Sequence, residues 1–153
     1  MRFWDTSALV ATEIDEKTTK TARELVRDDP ELVVWIVTQV EITSALWRRR
    51  RSGDLTESER SEAQRRLDET LANAIVVSDV FSVARRARRL LAGHTLRSAD
   101  AMQLAAALLA CEDDPARLPL VTVDDRLAEA ATREGFMVLP LTNGTSLAHE
   151  SRP

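Results

Sequence analysis

Short apolar runs alternate along this chain with longer stretches in which apolar residues recur every three or four positions. That alternation predicts strands interleaved with helices. The runs Arg2–Thr6, Val33–Thr38, Ala74–Ser78, Leu118–Thr122 and Met137–Leu141 are bounded by turn residues and mostly continuous in apolar character. Such runs suit strands buried on both faces of a parallel sheet. Helical periodicity covers Asp15–Asp28, Gln39–Ser52, Glu57–Asn73, Val80–Ala92, Ser98–Cys111 and Asp124–Glu134. Gly53, Gly93 and Gly135 stand where these helices should stop, as helix C-termini favour glycine. The expected fold is one α/β domain over residues 1–141, a five-stranded parallel sheet flanked by helices. Residues 142–153, "TNGTSLAHESRP", read as a loosely ordered tail.

Composition narrows the chemistry. A length of 153 residues allows a full hydrophobic core without covalent or metal staples. A single cysteine, Cys111, excludes an internal disulfide and a cysteine zinc cage, and only two histidines exclude a His-rich metal site. The N-terminus carries no signal-peptide pattern, and the longest apolar run, "AMQLAAALLAC", is too short for a membrane span. A cytoplasmic protein without membrane contact is expected. The net charge of −4 conceals concentrated positive charge. Lys17 and Lys20 are the only lysines among 21 basic residues, and arginine gathers in "WRRRRSG", "RSEAQRR" and "ARRARRLL". These runs are either solvated helix faces or phosphate contacts, for which the planar guanidinium fork is suited.

The acids make the sharper pattern. Asp5 closes the first strand in "MRFWDTSALV", Glu41 follows the second in "TQVEITSAL", and Asp124 follows the fourth in "LVTVDDRLAEAA". Asp100 opens a helix in "LRSADAMQLAAAL". In open α/β sheets the carboxyl ends of the strands form the binding crevice. Each acid also has a plain structural reading. "TQVE" matches a capping box of Thr38 with Glu41, and "TVDD" matches one of Thr122 with Asp125. Asp100 would gain from a helix dipole, and Asp5 would be a cap only if a helix began at once after it. Taken together, like charges crowded on one rim repel unless a cation joins them. Magnesium or manganese suits such oxygen donors.

"FWDTSALV", "VEITSAL", "LRSADAMQLAAAL" and "LVTVDDRLAEAA", in that order, resemble the four motifs of PIN-domain ribonucleases, above all the VapC-like toxins of bacterial toxin–antitoxin pairs. The resemblance runs from Met1 to about Leu141. It implies a Mg2+- or Mn2+-dependent endoribonuclease with Asp5, Glu41, Asp100 and Asp124 as its acidic set, Asp5 and Asp100 being direct ligands. It further implies supporting roles for Ser7, Arg97 and Thr122, an RNA substrate, homodimerisation and inhibition by a small cognate antitoxin. Asp125 competes with Asp124 for the fourth acidic position. The helix carrying Glu41 continues into Arg48, Arg49, Arg50 and Arg51, which are expected to meet RNA phosphates, with at most two facing the substrate.

Two other functions compete. A receiver-type phosphoacceptor could use Asp79, but it needs an acid pair after the first strand and a lysine near the last, and this chain has neither. A catalytically silent PIN-like binding module is disfavoured by the presence of all four acids. Trp4 and Trp35 are expected in the core, whereas Trp47 could stack on a base or pack against a partner. His94 is expected to be exposed in a turn, Cys111 buried, and "CEDDP" a solvated loop far from the acids.

Overall fold

The computed structural model describes residues 1–14 and 17–141. Asp15, Glu16 and the tail expected over residues 142–153 lie outside the described residues. Five strands, β1 (Arg2–Trp4), β2 (Leu32–Trp35), β3 (Ile75–Val77), β4 (Leu120–Thr122) and β5 (Val138–Pro140), form one sheet in the order β3-β2-β1-β4-β5. Every pairing is parallel, with Phe3 set between Val33 and Leu120. The helices are α1 (Thr6–Ala11), α2 (Thr19–Asp28), α3 (Thr38–Ser52), α4 (Glu57–Leu71), α5 (Val80–Gly93), α6 (Ser98–Ala110) and α7 (Asp125–Arg133).

Successive strand residues point to opposite faces, and the core divides accordingly. Phe3, Val33, Trp35 and Leu120 pack with α5, α6 and α7. Trp4, Leu32, Val34 and Val121 pack with α1, α2, α3 and α4. Trp4, Trp35 and Cys111 are buried as expected. The edge strand β3 departs from the expectation of burial on both faces, because Ile75 and Val76 are exposed. Among the described residues it pairs with β2 alone.

Helix α1 has no counterpart among the expected elements. The first strand ends at Trp4, and Asp5 turns the chain directly into a six-residue helix. Gly53 ends α3 in the left-handed conformation at φ 86°, which glycine adopts without steric cost. It turns the chain sharply enough for α4, with its Thr56–Glu59 capping box, to pack beside α3. Among the described residues no helix is long and apolar enough to cross a membrane.

The parallel connections put the C-terminal ends of β1, β2 and β4 on one rim. Chain order reverses between β1 and β4, because β1 leads outward to β2 on one side while β4 lies on the other. A crevice opens at such a reversal.

Candidate active site

The four acids meet at that crevice. Asp5, Glu41, Asp100 and Asp124 line one cavity of about 750 Å³, together with Arg48, Arg49, Arg97 and Arg126. A larger cleft of about 1250 Å³ is lined by residues of α2 and α4, including Arg23, Arg66, Glu62 and Glu69, and Arg49 borders both. Size does not decide between them. The smaller cavity holds the buried carboxyl, and the larger one is lined by charges such as Glu13, which pairs with Arg23 and Arg66.

Asp5 is 5% exposed. Its Oδ2 accepts the Ser7 amide at 3.2 Å, the Ser7 hydroxyl, and the Thr122 hydroxyl at 3.0 Å. Asp5 is thus the N-cap of α1, and it is also tied to the neighbouring strand β4. Burial pushes its carboxyl up to about 6, the hydrogen bonds from Ser7 and Thr122 oppose the rise, and the Glu41 charge adds to it. The Thr122 hydroxyl also accepts the Asp124 amide at 3.0 Å.

Glu41 is not half of a capping box. Val37 is the N-cap of α3 and makes no side-chain cap bond, while Thr38 sits buried in the first turn with its hydroxyl unpartnered. Glu41 Oε2 accepts the Thr6 hydroxyl and the Gln103 amide nitrogen, the latter at 2.6 Å. The carboxylate is therefore drawn into the crevice instead of back along its own helix.

At the fourth motif the cap is Asp124 itself, and Thr122 remains in β4. Asp124 Oδ1 accepts the amides of Arg126 at 2.8 Å and Leu127 at 2.9 Å. Asp125 is exposed in the first turn of α7 and does not line the cavity. Asp100 stands in the first turn of α6, where burial and then the Asp124 charge raise its pKa. The backbone and charge of Arg97 oppose that rise, and Glu41 adds to it. Arg97 thus acts through its backbone and charge, not through the direct salt bridge a basic neighbour suggests.

One regularity joins three of the acids. Asp5, Glu41 and Asp124 each have one oxygen held by protein donors, while the other accepts no hydrogen bond among the described residues. Among the described residues no three His, Cys, Asp or Glu side chains stand as a ready-made metal cage. Four carboxyls lining one cavity nonetheless suit a hard cation that takes one or two carboxylate oxygens and keeps its waters. They do not fit a closed, four-ligand site.

Of the four consecutive arginines, Arg48 and Arg49 line the cavity. Arg50 pairs with Glu57 at 3.6 Å, and Arg51 borders a shallow groove with Trp47. The Trp47 ring lies under the Arg60 guanidinium, 4.5 Å from its centroid. His94 is not exposed as expected. Its side chain is 7% accessible and Nε2 lies 2.6 Å from Glu134, outside the cavity. Asp79 caps α5 through the Ser82 amide. Sequence reading missed Thr6, Gln103 and Arg126. Gln103 had a signal, since it is a polar residue one turn beyond Asp100 in an otherwise apolar helix.

Known proteins resemble this chain. The PIN domain family model matches residues 2–133. The ribonucleases VapC45 and VapC49 of Mycobacterium tuberculosis are each 37% identical over 100 residues, covering 65% of this chain and 67% of theirs. Among solved structures, a toxin–antitoxin complex from Klebsiella pneumoniae superposes with a TM-score of 0.63 at 19% identity, covering 94% of this chain and 99% of that one. FitAcB from Neisseria gonorrhoeae superposes with a TM-score of 0.63 at 14% identity, covering 92% and 98%.

Two outcomes follow from the electrostatics and the caps. The folded protein holds the Asp5 proton more tightly than the unfolded chain, so between pH 3.8 and about 6 its stability falls as pH rises. In metal-free buffer at pH 7, Asp5→Asn should melt above the parent, by on the order of 2–3 kcal/mol, and the gap should close below about pH 4. Thermal melts across that range measure it. In the same assay Asp124→Ala should lose about 0.5–2 kcal/mol with its cap, and Asp125→Ala distinctly less; equal losses would contradict the assignment of the cap.

Proposed function

Because this chain belongs to the PIN domain family, we propose that it is a divalent-metal-dependent endoribonuclease and the toxin of a toxin–antitoxin pair. The convergence of four carboxyls and four arginines on one crevice carries this reading. The named relatives support it: two are ribonucleases, and one structural neighbour is a toxin–antitoxin complex. In this reading Asp5 and Asp100 hold Mg2+ or Mn2+ directly, and Glu41 and Asp124 hold it through water. A bound cation would screen the phosphate and make a neighbouring water easier to deprotonate.

The protein's own groups prepare the rest. Ser7 and Thr122 fix the Asp5 carboxylate by one oxygen, so its orientation is set before anything binds. Thr6 and Gln103 do the same for Glu41, and the first turn of α7 does it for Asp124. In this scheme a water beside Glu41 and Asp124 would lose its proton to a carboxylate and attack phosphorus as the bond to the leaving 3′ oxygen breaks. Arg48, Arg49, Arg97 and Arg126 offset the acidic rim and give the phosphates of an incoming strand charged partners. No covalent nucleophile takes part in this scheme. The exposed Ile75, Val76, Val80 and Phe81 near the sheet edge support the remaining elements of the reading, a second copy of the chain and an antitoxin.

Asp100→Asn should abolish RNA cleavage while the fold persists by circular dichroism, and chelation should silence the parent until Mg2+ or Mn2+ is restored. Parent-level cleavage by Asp100→Asn would refute the assignment. Substituting Arg48 and Arg49 together by Gln should flatten the dependence of log affinity on log salt by about 0.7 for each phosphate no longer neutralised. Replacing Arg50 and Arg51 should leave that slope nearly unchanged. RNA binding titrated across a salt series separates the two pairs.

A further inference from the structure

Gln103 is the anomaly of α6. The helix reads Ser98 to Ala110 with alanine and leucine around it, and Gln103 is 2% exposed among Ala101, Leu104, Ala106 and Ala107. A primary amide buried there is costly unless both of its ends are satisfied. Its nitrogen donates to Thr6 Oγ1 at 2.8 Å and to Glu41 Oε2 at 2.6 Å. Its oxygen has no hydrogen-bond partner among the described residues. A leucine of similar size would avoid that penalty, so stability does not account for the residue.

The three groups close a triangle. Thr6 donates to the same Glu41 oxygen that Gln103 reaches, and Gln103 also donates to Thr6. The triangle joins the first residue of α1, the first turn of α3 and the second turn of α6. Because Thr6 spends its only hydrogen on Glu41, Gln103 must present nitrogen to both, which fixes the sense of its amide. Glu41 is left with Oε1 accepting nothing among the described residues. Its helix alone would not impose this, since a glutamate in a first turn is free to reach back toward the amides.

We infer that Gln103, with Thr6, is a positioning residue that locks Glu41 by one oxygen and so leaves the other to meet, through water, a cation bound in the crevice. The inference rests on the metal-dependent nuclease reading above. In this inference Gln103, although it lines the crevice, acts through Glu41 and not by its own contact with substrate or ion. Groups that orient a carboxylate ligand in this way change metal affinity or activity by about 10–100-fold when removed.

The test uses the whole protein and Mn2+ alone, with affinity read from the paramagnetic resonance of free ion, alongside RNA cleavage. Gln103→Leu should lower Mn2+ affinity by about 10–100-fold, reduce kcat with KM for RNA little changed, and leave the metal-free melting temperature equal or higher. Thr6→Val should behave alike, while Thr6→Ser should recover most of the loss. In a Glu41→Gln background, Gln103→Leu should cost no further affinity, whereas a merely structural role would cost the same in both backgrounds. Parent-level affinity in Gln103→Leu, or an equal loss in the Glu41→Gln background, would overturn the inference. If Gln103→Leu fails to fold, Thr6→Val and its recovery by Thr6→Ser decide the matter. Absence of Mn2+ binding by the parent would instead refute the underlying nuclease reading.

Discussion

The constraint on which this molecule turns is the buried carboxyl at the end of its central strand. Asp5 lies between the two halves of the sheet, nearly inaccessible, with Glu41 close enough to raise its pKa further. Asp100 is likewise raised by burial and by Asp124 and Glu41. A chain selected only for stability would place none of these groups here, because each ionised form loses hydration and repels the next. Two rigid cores, one on each face of the sheet, hold them together nonetheless.

That arrangement explains why neighbouring residues have more than one task. Asp5 caps α1 while anchoring β4, and Thr122 donates to Asp5 while accepting from the amide of Asp124. Asp124 caps α7 with one oxygen and faces the crevice with the other. The helix N-termini offer amide donors that offset part of the cost of crowding negative charge. Capping a helix and lining the crevice are therefore not rival interpretations at Asp5 and Asp124, because the same side chains do both.

Much of the architecture was legible because strands buried on both faces need continuous apolar runs, and β1, β2 and β4 have them. The rim position of Asp5, Glu41 and Asp124 followed from strand ends alone. Helix α1 was hidden because "TSALV" extends an apolar run, and only the capping by Asp5 shows that the chain has turned. At Thr38 and Thr122 local capping rules failed for a tertiary reason. Thr38 is buried beneath the turn it was expected to start, and Thr122 is retained by β4, its hydroxyl engaged with Asp5. His94 could not be placed, because its partner Glu134 is 40 residues away in the chain. The split of the arginine run was partly foreseeable, since a helix turns four consecutive residues to different sides.

The commitment of a single oxygen on each of Asp5, Glu41 and Asp124 bears on which ions the crevice can distinguish. A carboxylate with one oxygen engaged by the protein grips as a single tooth. Calcium takes six to eight oxygen ligands and often gains one by chelation with both oxygens of a carboxylate, whereas magnesium accepts single oxygens and water in an octahedron. Chelation by this rim would require breaking the bonds from Thr122, Gln103 or the first turn of α7. In the proposed reading, the hydrogen bonds that orient these three acids would therefore disfavour an ion that needs both oxygens of each carboxylate.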